Sequence, residues 1–362
     1  MKKKPFLRTL CLLLAFPLML SVGGCAKRKP EPAEREYNEQ GYRVLPFSRG
    51  INLSCMEYPW YFTMATYWKM KKSKTYADIA SQGFDHVRIP VKFSLHYDRE
   101  KKRLDERFMK NLDRAIKKAQ DAGLYVCLDY LGEGQLDTSV PGEKEMFVTI
   151  WRLVAERYRE YSDFLSFEII NEPFPNWPGG NLDLDNLNLL QREVIAVIRE
   201  SNPDRLILAA AADSNAAFRL KDMKLPRDDK NIALVVHVYD PGEFTHQGAT
   251  WSDPNNNKQV RLTPEMLEKF KQRIDVCRDF VKKTGIPVVI NEFGVNKGLT
   301  DTGDLTEYLA AFTSYCEENG LAWTYWNYWE YGPGGFGATK GGKWIPCVTD
   351  GLFPDNAETK GP

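Results

Sequence analysis

The sequence has no excess charge of either sign. Its 362 residues contain 49 Lys and Arg and 49 Asp and Glu, which gives a formal net charge of +0 at pH 7. A chain without a net field does not attract nucleic acid or an anionic membrane surface over long distances. We therefore expect an uncharged main partner and no nucleic-acid partner.

Metal and cofactor motifs are also missing. The four histidines show no metal-ligand spacing, and none of the seven cysteines forms a CxxC pair. A Gly-rich phosphate loop and a dinucleotide fingerprint are both absent. We therefore expect no metal and no cofactor. Five cysteines follow residue 25, and most are expected to be small buried apolar side chains, with one disulfide left open.

A hydrophobic run long enough for a comfortable transmembrane helix, about 20 residues, is lacking as well. The apolar run over 10–22 follows a lysine-rich start, which is the layout of a secretory signal, predicted here over 1–24. Gly23-Gly24-Cys25 resembles a bacterial lipobox, and this predicts acylation of Cys25. The alternative is a cysteine beside an ordinary cleavage site.

The residues after Cys25 are charged and contain proline. Because they offer little to bury, 25–45 is predicted to be a flexible tether. Together these features predict a monomer that is secreted to the bacterial cell envelope. It would be lipid-anchored at the outer membrane or cell surface and would meet the membrane through its anchor.

From Gly50 onward, short β-rich runs alternate with amphipathic helical stretches, which is typical of βα units around a parallel sheet. Eight strands are predicted, over 51–53, 86–91, 124–128, 165–170, 206–210, 232–237, 288–290 and 323–326. This number favours an α/β fold, a (β/α)8 TIM barrel, as a single domain over 46–362. A doubly wound open sheet is the alternative, but its usual nucleotide signature is missing.

Two strand ends carry a carboxylate. Glu172 follows the fourth predicted strand in the run Asn171-Glu172-Pro173, and Glu292 follows the seventh in the run Asn291-Glu292-Phe293-Gly294. Active sites of such barrels lie at the C-terminal ends of the strands, so both side chains are expected in one mouth. Retaining glycosidases need two carboxyl groups about 5–5.5 Å apart, one protonated and one ionised. The alternative is that each glutamate is merely solvated.

At this point the chain resembles family 5 of the glycoside hydrolases, over about residues 47–354. The resemblance is carried by these runs: Arg49-Gly50-Ile51-Asn52, His86-Val87-Arg88-Ile89-Pro90, Asn171-Glu172-Pro173, His237-Val238-Tyr239, Asn291-Glu292-Phe293-Gly294 and Tyr325-Trp326. It implies that Glu172 is the acid/base and Glu292 the nucleophile. It also implies substrate-binding roles for Arg88, Asn171, His237, Tyr239 and Trp326.

One position departs from the family pattern. A histidine usually follows the third strand, whereas Leu131 stands there, so a sugar contact is lost or is replaced by Asp129, Tyr130 or Glu133. Further sugar platforms are expected among Trp60, Trp177, Trp251 and Trp329, although packing is an equal alternative for each.

The resemblance implies a β-glycan substrate, cleaved with retention by an endo-β-1,4-glucanase. A β-mannanase, a xyloglucanase and an exo-acting enzyme remain alternatives within the family. The exo alternative requires that segments 135–144 and 332–344 close one end of the cleft. A non-catalytic glycan-binding lipoprotein is the alternative from another class.

Overall fold

The computed structural model describes residues 34–54, 72–131, 136–174, 182–330 and 335–355. Eight parallel strands close into one barrel, in which each strand pairs with the next and the last pairs with the first. The predicted TIM barrel is therefore confirmed. The strands are β1 (Arg49–Asn52), β2 (His86–Val91), β3 (Tyr125–Tyr130), β4 (Leu165–Glu168), β5 (Ile207–Ala210), β6 (Ile232–His237), β7 (Val288–Phe293) and β8 (Ala322–Tyr325).

The helices of the described residues surround this barrel. They are α1 (Ser73–Gln82), α2 (Glu106–Asp121), α3 (Glu143–Arg157), α4 (Leu184–Arg199), α5 (Pro264–Thr284), α6 (Thr302–Glu318) and α7 (Pro346–Leu352), with short helical turns at 93–96, 212–215, 217–222 and 242–245. Two small antiparallel hairpins pair 97–98 with 103–104 and 339–340 with 343–344.

Helix α2 illustrates how the sequence sets the local structure. It begins where the Asp105 side chain accepts a hydrogen bond from the backbone N–H of Phe108 at 2.7 Å. Its buried residues recur at helical spacing and face the barrel, whereas the intervening lysines and arginines face solvent. The helix ends before Gly123, whose φ of +84° turns the chain into β3.

The barrel strands are buried on both faces, which explains their nearly continuous apolar composition. Charged side chains within such strands are therefore exceptions that need a partner. Among the described residues, no helix combines the length and hydropathy needed to cross a bilayer.

Strand bounds agree with prediction at β2 and β6, which are apolar apart from His86 and Arg88 in β2 and His237 in β6. Strand β7 extends three residues beyond its predicted end at Ile290 and includes Asn291 and Glu292. The predicted strand stopped at the first polar residue, whereas the backbone continues to pair with β8 as far as Phe293.

The N-terminal segment from Glu34 to Leu45 lies against the barrel, although 25–45 was predicted to be a flexible tether. Arg35 and Arg43 both donate to Asp163, at 2.5 Å and 3.2 Å, and the Asn38 side chain donates to the Gly285 carbonyl at 2.6 Å. These acceptors precede β4 and β7, so the segment crosses the face at the N-terminal ends of the strands. The rest of the predicted tether, with the signal and Cys25, lies outside the described residues.

The disulfide left open by the sequence is not formed among the described cysteines. Cys127, Cys277, Cys316 and Cys347 are all free, and three of them are buried. Cys55 lies outside the described residues.

Candidate active site

Glu172 lies just beyond β4, and its backbone takes an uncommon conformation. Its φ is +41°, in the left-handed region that non-glycine residues rarely adopt. Hydrogen bonds hold the segment on both sides. The Asn171 N–H donates to the Tyr130 carbonyl at 2.9 Å, and the Ser214 N–H donates to the Pro173 carbonyl at 3.0 Å. The left-handed backbone at Glu172 is thus fixed by its neighbours.

Glu292 lies near the end of β7, next to an irregularity in the strand. Val236 pairs with Ile290 and His237 with Glu292, so Asn291 is the extra residue of a β-bulge. A bulge changes the direction in which the following side chains point, and bulges are common beside active sites. Here it brings Glu292 level with His237 on the adjacent strand.

The two carboxylates meet in the same mouth of the barrel, as predicted. One carboxylate oxygen of Glu172, one of Glu292 and a ring nitrogen of His237 all lie within 4.8 Å of one another. The side chain of Glu172 is 38% exposed, whereas that of Glu292 is 8% exposed. Retaining pairs lie about 5–5.5 Å apart and inverting pairs about 6.5–9.5 Å apart, so this short spacing fits a retaining pair.

Arg88 connects five polar side chains of the site. The side chain is fully buried, and its Nη1 donates to Glu292 Oε1 at 2.7 Å and to Asn52 Oδ1 at 2.9 Å. Nε and Nη2 form two bonds to the Glu168 carboxylate, at 2.7 Å and 2.9 Å. A guanidinium fork can satisfy several acidic groups in fixed directions, which an ammonium group cannot. Arg88 therefore sets the position of Glu292.

Tyr239 and His237 supply the other contacts of the carboxylates. The Tyr239 hydroxyl donates to Glu292 Oε2 at 3.0 Å. Burial, together with the charge of Glu292, raises the pKa of Tyr239 well above its usual value, so the phenol keeps its proton. His237 Nδ1 lies 2.7 Å from Glu172 Oε1 and 3.6 Å from Glu292 Oε2.

The surroundings of the two carboxylates move their pKa values in opposite directions. Burial alone would raise the pKa of Glu172, but the hydrogen bond and the charge of His237 hold it below its usual range. Burial and the charge of Glu172 raise the pKa of Glu292, against the opposing effects of His237 and Arg88. As long as His237 donates to Glu172, the free site thus favours an ionised Glu172.

The two remaining residues predicted to bind substrate are Asn171, which contacts Arg88, and Trp326, which follows β8. Asn171 Oδ1 accepts from Arg88 Nη2 at 2.8 Å, which leaves the Nδ2 of the amide to donate to a substrate hydroxyl. Trp326 follows β8, is half-buried, and is joined to Asn327 by a cis peptide bond. Its backbone N–H donates to the Phe293 carbonyl at 2.8 Å. The substrate-binding roles of both remain predictions.

The alternatives offered for the missing histidine are corrected in part. Asp129 is fully buried and accepts from Arg88 Nη2 at 3.0 Å, while Tyr130 and Leu131 are 3% and 5% exposed. None of these side chains is exposed: Asp129 faces Arg88 in the barrel interior, and the Tyr130 ring packs 4.6 Å from that of Phe147 on α3. Glu133 lies outside the described residues.

The tryptophans predicted as platforms also differ from one another. Trp329 is 4% exposed and packs edge-on against Tyr328, so it belongs to the core. Trp251 is 76% exposed and lies 6.3 Å from His246, whose ring in turn packs against Tyr239 at 5.1 Å. Trp251 therefore keeps its apolar surface in solvent near the site. Trp60 and Trp177 lie outside the described residues.

Sequence reasoning missed three residues of the site. Glu168 and Asn52 are fully buried and bind Arg88, and Asn215 is fully buried beside His237. A carboxylate inside an otherwise apolar strand was a usable signal for Glu168. For Asn215 the sequence offers none, since its contact depends on how the turn after β5 meets the end of β6.

Cation sites also use two carboxylates and an imidazole at such distances, as Glu172, Glu292 and His237 provide here. The short contact between His237 and Glu172 is a hydrogen bond that such a cation would have to displace. We therefore interpret these three side chains as a group that exchanges protons.

Comparisons with known proteins agree with this geometry. Residues 38–332 match the cellulase family, described as glycosyl hydrolase family 5. The chain is 28% identical over 263 residues to endoglucanase A of Ruminococcus albus, covering 66% of this chain and 68% of that protein. It is 28% identical over 220 residues to endoglucanase H of Acetivibrio thermocellus, covering 60% of this chain but 23% of that protein.

Solved structures match over more of their length. A hyperthermophilic endo-β-1,4-glucanase in complex with substrate has a TM-score of 0.76 at 26% identity, covering 85% of this chain and 97% of that one. The cellulose synthase subunit Z of Clostridioides difficile has a TM-score of 0.74 at 29% identity, covering 84% of this chain and 99% of that one.

Proposed function

The chain belongs to the cellulase family, glycosyl hydrolase family 5, and from that membership we propose that it is a retaining endo-β-1,4-glucanase. The observation that carries the proposal is the pair Glu172 and Glu292, whose oxygens approach within 4.8 Å in one barrel mouth. The names of the relatives support a β-1,4-glucan as substrate.

The reaction follows from the two positions. Glu292 attacks the anomeric carbon while protonated Glu172 gives its proton to the leaving oxygen, and the glycosidic bond breaks as the glycosyl–Glu292 ester forms. Glu172, now ionised, takes a proton from water as that water attacks the same carbon and releases Glu292. Arg88 and Tyr239 hold Glu292 in line for both steps. The product thus keeps its anomeric configuration.

The experiment measures initial rates on β-glucans, mannans and xyloglucan for the wild type and the Glu172→Ala and Glu292→Ala variants. Glu243→Gln, at a surface side chain that is 49% exposed and pairs with Lys269, is the matched control. We expect activity on a β-1,4-glucan that both alanine variants lose and the control keeps. Activity on mannan or xyloglucan alone would change the substrate, and full activity of Glu292→Ala would refute the assignment.

Two further measurements separate the remaining alternatives. NMR of early products is expected to show retained configuration, and inverted products would exclude Glu292 as nucleophile. A fall in polymer viscosity before much reducing sugar accumulates would indicate endo action. Release of short sugars without a viscosity loss would favour the exo alternative, in which 135–144 and 332–344 close the cleft.

We also propose that the protein is a monomeric lipoprotein of the bacterial envelope, anchored through Cys25 after signal removal. The lipobox-like run before Cys25 supports this, and the chain meets the barrel at the face opposite Glu172 and Glu292. Full-length protein expressed in a bacterium should fractionate with membranes, and Cys25→Ser should release it. A wild-type protein found without membrane attachment would refute the anchor.

A further inference from the structure

A left-handed turn follows β5 and has no role in the mechanism described so far. Asp213, Ser214 and Asn215 have φ values of +53°, +57° and +58°. Asn and Asp are the non-glycine residues that adopt this conformation most readily. The turn is bonded to the segment after Glu172 through the Ser214 N–H, and Ala216 then bridges to His237 on β6. The turn therefore holds Asn215 between the segment that follows Glu172 and His237.

Asn215 is the first member of a chain of hydrogen bonds that ends at Glu172. Its Nδ2 lies 3.0 Å from His237 Nε2, and His237 Nδ1 lies 2.7 Å from Glu172 Oε1. An amide nitrogen can only donate, so Nε2 accepts and the neutral imidazole carries its proton on Nδ1. That proton is donated to Glu172 and favours the ionised carboxylate.

Double displacement requires Glu172 in two protonation states. The ionised state is compatible with the bonds just described. The Nδ1–H bond stabilises the ionised carboxylate, so protonated Glu172 is favoured when His237 carries its proton on Nε2 instead. An Nε2–H group needs an acceptor, because an unpaired buried donor is unfavourable.

The Asn215 side chain can provide that acceptor. It is fully buried, and its Oδ1 has no hydrogen-bond partner among the described residues. Half a turn of the amide exchanges Oδ1 and Nδ2 with almost no change in shape, so one side chain can accept from Nε2 as well as donate to it.

We propose that Asn215 is a positioning residue that selects the tautomer of His237 and so allows Glu172 to alternate between acid and base. The inference rests on the proposed double displacement. The charged groups that face His237 are Glu172 beyond β4, Glu292 on β7 and Arg88 on β2. Burial disfavours the imidazolium and the two carboxylates favour it, so Asn215 Oδ1 is also the group that would accept from the second N–H of a charged ring.

The first test uses no catalysis. Nitrogen-15 NMR of the histidine side chains reports which ring nitrogen carries the proton, and the chain has only four histidines to assign. His237→Gln identifies the signal. Above the pKa of His237, the wild type is expected to show a protonated Nδ1 and a bare Nε2, and Asn215→Asp to move the proton to Nε2. A wild-type ring protonated on Nε2 would overturn the proposal.

The second test measures the pH profile of kcat/KM, whose alkaline limb reports the proton of Glu172. In Asn215→Leu the Nε2–H form has no acceptor, so the limb should move to lower pH by about one unit. In Asn215→Asp an acceptor is always present, so the limb should move to higher pH. Limbs that stay unchanged in both variants while kcat falls would assign Asn215 a merely structural role.

Asn202 supplies the matched control. It is a buried asparagine at the opposite face, where its Nδ2 donates to the Ala155 carbonyl at 2.8 Å. Asn202→Leu should lower stability without moving either limb. If Asn215→Leu does not fold, Asn215→Asp and the wild-type NMR result still decide the proposal. Loss of the proposed function would instead appear as full activity in the Glu172→Ala variant.

Discussion

Replacing Arg88 by lysine keeps the charge but removes the guanidinium fork. Arg88 donates hydrogen bonds to Asn52, Asp129, Glu168, Asn171 and Glu292, each through a fixed direction of the fork. A lysine has three donors and no fixed plane, so it can replace at most part of this set. The bond to Glu292 is the one that acts on the proposed reaction.

Arg88→Lys should lower both the activity and the stability of the protein, for separate reasons. A hydrogen bond to a charged group contributes about 1.5–3 kcal/mol, so the loss at Glu292 should lower kcat/KM roughly 10- to 100-fold. Leaving buried carboxylates with incomplete partners should lower the free energy of unfolding by about 3 kcal/mol. The charge of Arg88 lowers the pKa of Glu292, and lysine keeps that charge, so the acid limb of the pH profile should stay near its wild-type position.

The assay compares kcat/KM over pH with thermal unfolding, for Arg88→Lys and for Arg205→Lys. Arg205 is 5% exposed and donates to the carbonyls of Tyr158, Tyr161, Ser162 and Leu165 near the opposite face. The control should lose stability and keep its kcat/KM. An Arg88→Lys enzyme with less than a twofold change in kcat/KM would refute the reasoning.

Three further predictions concern other parts of the fold. Gly294→Ala should lower activity and unfolding temperature, since its Cβ would lie 2.5 Å from the Trp326 carbonyl oxygen; a wild-type melting curve would contradict this clash. Burial alone would raise the pKa of Asp163, but its arginine partners, Arg43 among them, hold it lower. Ionised Asp163 thus stabilises the folded protein at pH values above the ordinary aspartate pKa of about 3.9. This stabilisation is lost as the pH falls through the folded-state pKa of Asp163. Asp163→Asn should therefore destabilise by about 1 kcal/mol at neutral pH and by less in acid, measured by urea unfolding. Lys297→Met should free the loop after β8, because its Nζ donates to the Gly337 carbonyl at 2.7 Å, and limited proteolysis there should speed up.

The fold was accessible from sequence because parallel strands buried on both faces leave mostly apolar runs, as at β6. Glu172 and Glu292 were accessible because each follows such a run. The bulge at Asn291 was not, since an extra residue in a strand depends on pairing with its neighbours. Asn215 and Arg43 were missed for a related reason: their partners lie 22 and 120 residues away in sequence.

The position of the N-terminal segment also determines how the enzyme can be shortened or attached to a support. Arg35, Asn38 and Arg43 connect the loops before β4 and β7 from outside the barrel. A truncated protein that starts at residue 46 would lose these connections, whereas one that starts at residue 34 would retain them. A bead, a reporter domain or a surface coupled upstream of Glu34 would sit on the side of the barrel away from Glu172. Incoming polysaccharide chains would then have an open approach.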